Sequence, residues 1–298
     1  MVTPFNHDGT VDVAAGCRLV EYLLEHHVHP FILGTTGESA CMSHAQRIQF
    51  SKALSKCVDG RTLLYAGIAD NCLENSLTAA KEYADLGVDV VVAHLPGYYP
   101  ITEYNMLSYY EILAEKSPIP LMIYNITATT NLSIPLDIVE TLSHHDNVVG
   151  LKDSERDKER MNKAISSWKD RKDFSLFYGW GAQCTDSLLN GADGIVPSTG
   201  NLVPDMYHDL YNAAVAGDRE TAYVLQEKTD LISKVYQENR VLSQSLAALK
   251  ILLGEYDLCK PYVLPPLFTL DEKAEQEIRE HFSQLRDELG FKISIEKK

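Results

Sequence analysis

The stretch that decides the fold is NVVGLK (147–152), an apolar run that ends on a lysine. Six more short apolar runs recur along the chain: FILG (31–34), TLLYAG (62–67), VDVVVAHL (88–95), PLMIYN (120–125), FSLFYG (174–179) and GADGIVPS (191–198). They are nearly continuous rather than alternating in hydrophobicity, which is typical of parallel strands that are buried on both faces. We therefore interpret these runs as strands of one parallel sheet.

Helical patterns separate these strands. The segment SHAQRIQFSKALSKCV starts at Ser43, a suitable N-cap residue, and carries apolar residues at helical spacing. The segment NSLTAAKEYADLG ends on Gly87, a residue type that is favoured just beyond a helix C-terminus. The alternation of strand and helix indicates repeated βα units.

The number of βα units predicts the fold class. Seven strands follow Pro4, and the short N-terminal segment MVTPF (1–5) would have to be the eighth. Eight units make an α/β fold of the (β/α)8 TIM barrel type, whose usual size of about 250 residues suits this chain. A doubly wound open sheet is the alternative architecture, but no GxGxxG motif follows the first strands.

The strands stop near residue 204, and the remaining segments carry helical periodicity. We predict that residues 1–204 form the barrel core with the active site. Residues 205–298 are predicted to supply the last barrel helix and a C-terminal helical extension of the same body. The tail KISIEKK (292–298) is expected to fray, as chain termini commonly do.

The composition narrows the possible partners. The chain has a formal net charge of −15 and a pI near 5.1, so it lacks the basic balance expected of a protein that binds nucleic acid or an anionic membrane. No apolar run approaches the roughly 20 residues of a membrane span, and no secretory signal is evident. The six cysteines form no CxxC pair, which predicts reduced thiols and a cytoplasmic protein.

Reactive side chains stand where the predicted strands end. Active sites of TIM barrels lie at the carboxyl ends of the strands. The residues expected there are Gly34, Thr35, Thr36, Gly37, Glu38, Tyr124, Asn125, Lys152, Gly179, Trp180, Ser198 and Thr199.

The chemistry of this set is coherent. A lysine among apolar neighbours has a lowered pKa, so part of it is the neutral amine that attacks a ketone to form a Schiff base. A tyrosine within reach can transfer the proton. The hydroxyls of Thr35 and Thr36 and the backbone amides of GTTGE (34–38) can hold a carboxylate.

Three motifs in order resemble one known family. GTTGE (34–38), YN (124–125) and GLKDS (150–154) resemble the dihydrodipicolinate synthase / N-acetylneuraminate lyase family of class I, pyruvate-dependent aldolases. VTPF (2–5), GADGIVPSTGN (191–201) and AGD (216–218) extend the resemblance over nearly the whole chain.

The resemblance implies roles for particular residues. It makes Lys152 the Schiff-base lysine, Tyr124 the general acid/base, and Thr35 and Thr36 the holders of the pyruvyl carboxylate, with Thr35 also in a hydroxyl relay. It implies that Tyr98 of PGYYP (96–100), with Tyr99 as the neighbouring candidate, reaches across a tight dimer interface to complete that relay, in a homotetramer of two such dimers. It also implies no cofactor beyond the lysine itself.

Two departures from the family bear on the substrate. The turn ITATT (126–130) has no arginine, which the lysine-pathway synthases use for a second carboxylate, and Gly181 and Ala182 stand where sialic acid lyases carry an acidic pair. We hypothesise that the substrate is a 2-keto-3-deoxy sugar acid, which is cleaved reversibly to pyruvate and an aldehyde. The expected substrate-binding residues are Gly34, Thr36, Thr127, Thr129, Ser154, Gly179, Trp180 and Ser198.

Other interpretations stay open at this point. Dihydrodipicolinate synthase and N-acetylneuraminate lyase are the alternatives within the family, and dehydration or deamination of a 2-oxo acid would use the same intermediate. A protein that binds 2-oxo acids without catalysis is the alternative of another class, because fold alone does not fix function. A metal site at His26 and His29 of EHHVHP is disfavoured, since no third ligand is evident in the sequence.

Overall fold

The computed structural model describes residues 1–293, so most of the predicted frayed tail lies outside the described residues. Its centre is a seven-stranded parallel sheet in which the strands neighbour one another in chain order. The strands are β1 (Phe31–Ile32), β2 (Tyr65–Gly67), β3 (Val90–His94), β4 (Leu121–Asn125), β5 (Val148–Asp153), β6 (Ser175–Tyr178) and β7 (Gly194–Ile195). All seven strands predicted from apolar runs are therefore confirmed.

Helices connect the strands and continue beyond them. Those up to β7 are α1 (Val13–Glu25), α2 (His44–Val58), α3 (Leu73–Asp85), α4 (Glu103–Lys116), α5 (Thr127–Thr130), α6 (Leu136–Leu142), α7 (Lys158–Trp168) and α8 (Cys184–Leu189). The later helices are α9 (Pro204–Val215), α10 (Arg219–Gln237), α11 (Leu242–Gly254) and α12 (Glu272–Leu289). Short 3₁₀ turns occur at Ser39–Cys41, Gly181–Gln183 and Ser198–Asn201.

Local sequence signals explain two of the helix ends. The Ser43 hydroxyl accepts a hydrogen bond from the Gln46 backbone amide at the start of α2, and the Gln46 side chain bonds back to the Ser43 amide. This capping box satisfies two amides that would otherwise lack partners. Beyond α3, Gly87 takes a left-handed φ of 88°, a conformation that costs glycine little.

The register of the sheet brings four side chains into one row. His94 is paired with Tyr124, Tyr124 with Lys152, and Lys152 with Phe177 on successive strands. Inward-facing residues of β3 and β4, among them Val92 and Tyr124, form a core of their own, separate from the core between sheet and helices. The row of four therefore crosses the inside of the curved sheet near the carboxyl ends of its strands.

The N-terminal segment MVTPF forms no strand in the described chain, so the predicted eighth strand is wrong as a regular strand. Phe5 makes an isolated bridge with Val11, and Pro4 has no amide hydrogen to donate to a ladder. The Met1 nitrogen nevertheless donates to the Phe31 carbonyl at 2.7 Å, and the Val2 amide donates to the side chain of Asn201 at 2.8 Å. The segment thus lies between β1 and the turn after β7.

A disulfide joins Cys17 of α1 to Cys57 of α2, across a sequence separation of 40 residues. The prediction that all six cysteines are thiols is therefore wrong for this pair. The two helices pack against each other and bring the Cα atoms to 5.8 Å, within the range that a disulfide spans. The other cysteines, which are Cys41, Cys72, Cys184 and Cys259, are free.

The C-terminal helices build a second apolar core against the barrel. Helix α10 packs against α9, α11 and α12, and their buried residues include Leu249, Ile278 and Phe282. This core reaches the barrel through Tyr22 of α1, whose hydroxyl donates to the Leu202 carbonyl at 2.9 Å. Within residues 1–293, no helix combines the length and the apolar character needed to cross a membrane.

Candidate active site

The side chain of Lys152 is enclosed at the end of β5, where only 4% of the residue is exposed. Its Nζ lies 3.4 Å from the ring centroid of Tyr124 and 5.7 Å from that of Phe31. The same nitrogen donates to the Ser154 hydroxyl at 3.2 Å. The lysine therefore lies against aromatic rings and donates a hydrogen bond to a neighbouring hydroxyl.

Burial lowers the pKa of Lys152, and Tyr124 and Asp153 offset only part of that effect. Taking an ammonium group out of water disfavours its charged form. A lowered pKa increases the fraction of neutral amine, which is the form that adds to a carbonyl group. The environment of Lys152 thus favours nucleophilic chemistry.

Tyr124 lies on the adjacent strand, with its hydroxyl 3.5 Å from the hydroxyl of Thr35. Burial alone would raise the pKa of this phenol, but the charge of Lys152 and hydrogen bonds with Lys152, Thr35 and Ser154 outweigh burial and lower it. A phenol whose pKa is lowered gives up its proton more readily. Tyr124 is consequently suited to exchange protons with a group bound at Lys152.

The GTTGE loop (residues 34–38) is a tight turn after β1. The Gly37 amide donates to the Gly34 carbonyl at 3.0 Å, and the Glu38 amide donates to the Thr35 carbonyl at 3.1 Å. Glycine suits position 34, because an added Cβ would lie 2.9 Å from the ring of Phe31 and the ring would have to shift. The turn brings Thr35 and Thr36 to the mouth of the barrel.

A small cavity of ≈ 40 Å³ lies between this loop and the lysine. Of the sequence-predicted site residues, those lining it are Gly34, Thr35, Thr36, Tyr124, Lys152 and Ser198. A second cavity of ≈ 380 Å³ extends along the inside of the sheet, with Phe31, Met122 and Phe177 among its walls. Lys152 borders both cavities, so one side of it meets hydroxyls and the other meets mainly apolar groups.

Gly179 and Ser154 complete the surroundings of the lysine. A Cβ added at Gly179 would overlap the Ser154 hydroxyl and lie 3.4 Å from Lys152 Nζ. The absence of a side chain at Gly179 therefore makes room for the contact between Lys152 and Ser154. These two predicted residues lie beside the amine, although neither lines the smaller cavity.

Besides Gly179 and Ser154, four predicted residues do not line the smaller cavity within the described chain. Thr127 and Thr129 lie on the one-turn helix α5, and Trp180 precedes the turn at Gly181–Gln183. Tyr98 is 74% exposed, and its ring meets the edge of the Tyr99 ring at 4.8 Å. A role for Tyr98 therefore depends on a surface outside this chain.

Two polar residues near the site were missed from the sequence. His94 faces Tyr124 with a ring separation of 6.1 Å, and its Nδ1 lies 2.8 Å from the Leu95 carbonyl oxygen. The inward row of Val90, Val92 and His94 could have revealed it, because alternate strand residues share one face. Tyr236 of α10 bonds Ser198 and Thr199, and no local sequence signal indicates that contact.

The histidines of EHHVHP acquire no metal-binding partners in the described part of the chain. The ring of His26 contacts Tyr22 at 5.1 Å, and Nδ1 of His29 pairs with the hydroxyl of Thr62. No group of three or more His, Cys, Asp or Glu side chains gathers in a metal-binding arrangement among residues 1–293. The contacts of these histidines are those of helix-end and turn residues.

Comparison with known proteins identifies the family of this chain. A family model described as the dihydrodipicolinate synthetase family matches residues 1–285. An uncharacterized DapA-like lyase of Thermococcus kodakarensis is 31% identical over 280 residues, which are 93% of this chain and 94% of that protein. A probable 2-dehydro-3-deoxy-D-pentonate aldolase of Escherichia coli is 27% identical over 92% of this chain and 91% of its own length.

A solved structure gives the same result for the fold. The dihydrodipicolinate synthase of Bacteroides thetaiotaomicron superposes with a TM-score of 0.90 and 31% sequence identity. The superposition covers 95% of this chain and 96% of that one. It confirms the predicted TIM barrel fold, although the N-terminal segment of this chain makes no ladder.

Proposed function

Because this chain belongs to the dihydrodipicolinate synthetase family, we propose that it cleaves a 2-keto-3-deoxy sugar acid reversibly to pyruvate and an aldehyde. Members of this family are Schiff-base lyases, and relatives of this chain are named as lyases and as an aldolase. The observation that carries the proposal is the buried Lys152 amine, beside Tyr124 and a small hydroxyl-lined cavity.

The proposed reaction starts with the neutral Lys152 amine. It adds to the ketone carbon of the substrate, and loss of water leaves a protonated imine. Tyr124 removes the proton of the C4 hydroxyl, so the C3–C4 bond breaks and its electron pair moves into the imine to give an enamine and an aldehyde. Protonation at C3 and hydrolysis of the imine then release pyruvate and restore the amine.

The carboxylate of the substrate is assigned to the GTTGE loop. Thr35 and Thr36 offer hydroxyls at the edge of the ≈ 40 Å³ cavity, which is too small for a whole sugar acid. Hydrogen bonds to an ionised carboxylate are stronger than those between neutral groups. The longer part of the substrate would extend past Tyr124 towards the barrel mouth.

The uncharged turn after β4 favours a neutral polyol tail over a second carboxylate. The turn ITATT (126–130) contains no charged residue. Arg160 is paired with two carboxylates of this chain. Its Nε donates to Asp153 at 2.7 Å and lies 3.5 Å from a Glu155 oxygen. A second carboxylate would therefore lack the bidentate arginine contact that recognises it best.

One observation favours a second candidate, the condensation of pyruvate with aspartate semialdehyde. The Bacteroides thetaiotaomicron structure that superposes over 95% of this chain is called a dihydrodipicolinate synthase. The first step at Lys152 would be the same in both reactions. The two candidates differ in the aldehyde: aspartate semialdehyde carries an amino group and a second carboxylate, and the neutral turn disfavours that carboxylate.

A substrate panel separates the candidates. Purified protein is incubated with 2-keto-3-deoxy acids of five and six carbons, and released pyruvate is measured with lactate dehydrogenase and NADH. We expect cleavage of at least one acid and none by Lys152→Met. Condensation of pyruvate with aspartate semialdehyde, together with no cleavage of any keto-deoxy acid, would overturn the proposal in favour of the synthase.

The assembly, the lack of a cofactor and the cytoplasmic location remain proposals. A homotetramer of two tight dimers would give the exposed Tyr98 a partner site. We propose that pyruvate is the small-molecule partner and that the Lys152 Schiff base replaces any metal or organic cofactor. Full specific activity at dilutions where sizing shows only monomers would refute the role of Tyr98.

A further inference from the structure

A buried ion pair lies behind the GTTGE loop. The Glu38 carboxylate pairs with the Lys250 ammonium group of α11, and both side chains are 0% exposed. Among the ion pairs of residues 1–293, it is the only one with both side chains fully enclosed. The pair is far from solvent and has no part in the proposed chemistry of Lys152.

Each member of the pair binds another segment of the chain. The second Glu38 oxygen accepts a hydrogen bond from the Leu264 amide at 3.2 Å, and Lys250 Nζ donates to the Tyr262 carbonyl at 2.8 Å. The same ammonium group lies 4.3 Å from the ring centroid of Phe5. The pair therefore joins the GTTGE loop to the C-terminal extension and the N-terminal segment.

Glu38 is also bonded directly to Thr35. Its backbone amide donates to the Thr35 carbonyl at 3.1 Å and closes the turn that carries the threonines. Glu38 also has a left-handed backbone, with φ at 56°. This conformation is unfavourable for a residue with a Cβ, so it persists only where surrounding contacts hold it.

Buried ion pairs add little net stability, because desolvation of two charges cancels most of their attraction. Loss of one partner has a larger effect, since it leaves the other charge buried and alone. Burial already raises the pKa of Glu38, against the opposing effects of Lys250 and the Leu264 amide. Without Lys250, the Glu38 carboxyl would take up a proton and weaken its bond to Leu264.

From these contacts we propose that Lys250 is a positioning residue, which acts through Glu38 to hold Thr35 and Thr36 where the carboxylate of a 2-oxo acid binds. This inference rests on the proposed function in taking pyruvate as the ligand of the GTTGE loop. Through Lys250, the C-terminal extension would thus increase the affinity of the GTTGE loop for its substrate. Lys250 itself does not touch the substrate.

The test compares Lys250→Met with the wild-type protein, and with Ile278→Ala as a control. Ile278 is buried on α12, so its truncation lowers stability without touching the GTTGE loop. The readouts are the melting temperature, hydrogen exchange of the ligand-free amides at 34–38, and the pyruvate concentration that gives half-maximal borohydride trapping.

We expect Lys250→Met to raise that concentration at least tenfold, which corresponds to about 1.4 kcal/mol of binding, and to speed exchange at 34–38. Trapping at saturating pyruvate should stay within about threefold of wild type, since Lys152 is untouched. Ile278→Ala should lower the melting temperature alone. In the double variant Glu38→Gln/Lys250→Met, the neutral amide can still accept from Leu264, so it should recover most of the affinity.

Unchanged half-saturation together with unchanged exchange in folded Lys250→Met would overturn the positioning role. Glu38→Gln provides the same comparison if Lys250→Met does not fold. Failure of the wild-type protein to trap pyruvate would contradict the proposed function instead. The exchange experiment needs no ligand, so in that case it alone decides whether the pair orders the loop.

Discussion

The amine nitrogen of Lys152 lies 3.4 Å from the ring centroid of Tyr124. The two residues are direct neighbours across the ladder between β4 and β5, so the register of the parallel sheet sets their pairing. A shift of one residue in either strand would turn one side chain out of the barrel. The proposed chemistry therefore depends on the same register that makes the fold.

Removal of the Tyr124 hydroxyl tests its proposed proton transfer. Tyr124→Phe keeps the ring against Lys152 and should lower kcat by about 10²–10⁴. Pyruvate trapping should persist, because the lysine is retained. Tyr178→Phe is the matched control, since it loses a buried hydroxyl that bonds the Met161 carbonyl away from the cavity. A wild-type rate for Tyr124→Phe would remove this tyrosine from the mechanism.

Substitution of the two threonines of the GTTGE loop should change different kinetic constants. Thr36→Val should mainly raise KM, because it deletes a carboxylate contact. Thr35→Val should also lower kcat by about tenfold or more, because its hydroxyl lies 3.5 Å from that of Tyr124. Steady-state kinetics separate the two effects. The control Thr229→Val, which deletes a buried hydroxyl on α10, should change neither KM nor kcat. Equal kinetic constants for all three variants would contradict the roles proposed for Thr35 and Thr36.

Lys152 should lower the stability of the folded protein at neutral pH. Its folded-state pKa is below the value of 10.5 expected in the unfolded chain. Between these two pKa values the unfolded chain binds more protons, so the wild-type free energy of unfolding rises with pH there. Lys152→Met lacks this penalty and should be more stable than the wild-type protein at pH 7.

The stability advantage of Lys152→Met should shrink as the pH rises towards 10.5 and disappear above it, where the wild-type lysine is neutral in both the folded and the unfolded state. Urea unfolding of both proteins at several pH values measures the difference and cancels the groups that they share. A difference that stays constant with pH, or a less stable Lys152→Met, would contradict the lowered pKa.

Tyr236 should support the β7 side of the site. Its hydroxyl forms hydrogen bonds with the hydroxyls of Ser198 at 2.7 Å and Thr199 at 2.8 Å, and accepts one from the side-chain amide of Gln237 at 2.8 Å. Tyr236→Phe leaves buried hydroxyls with one partner fewer, so we expect a loss of about 1–3 kcal/mol in unfolding free energy. KM should rise as well, because Ser198 lines the cavity. The control Tyr178→Phe should leave KM unchanged, and an unchanged KM in Tyr236→Phe would make its role purely structural.

Local patterns were sufficient to predict the elements of this fold. Near-continuous apolar runs located all seven strands, and Ser43 and Gly87 marked helix ends that the structure has. The N-terminal segment was mispredicted because Pro4 follows apolar residues that resemble a strand. The Cys17–Cys57 disulfide depends on how α1 packs against α2, which spacing along the chain does not reveal.

The centre of the site was predictable from strand ends, whereas its support was not. Lys152, Tyr124 and the GTTGE loop follow apolar runs, and parallel strands bring such ends together. The contact of Lys250 with Glu38 and that of Tyr236 with Ser198 each join residues more than 35 positions apart, from helices with no distinctive motif. The placement of Thr127, Thr129 and Trp180 away from the smaller cavity also depended on turn geometry that composition alone does not specify.

Borohydride trapping with pyruvate detects the proposed Schiff base at Lys152 directly. The protein is reduced in the presence of pyruvate, and the adduct is located by intact mass and peptide mapping. We expect one pyruvyl adduct on the peptide that contains Lys152, and no adduct in Lys152→Met. A folded protein that forms no adduct, or an adduct on any other lysine, would contradict the Schiff base at Lys152.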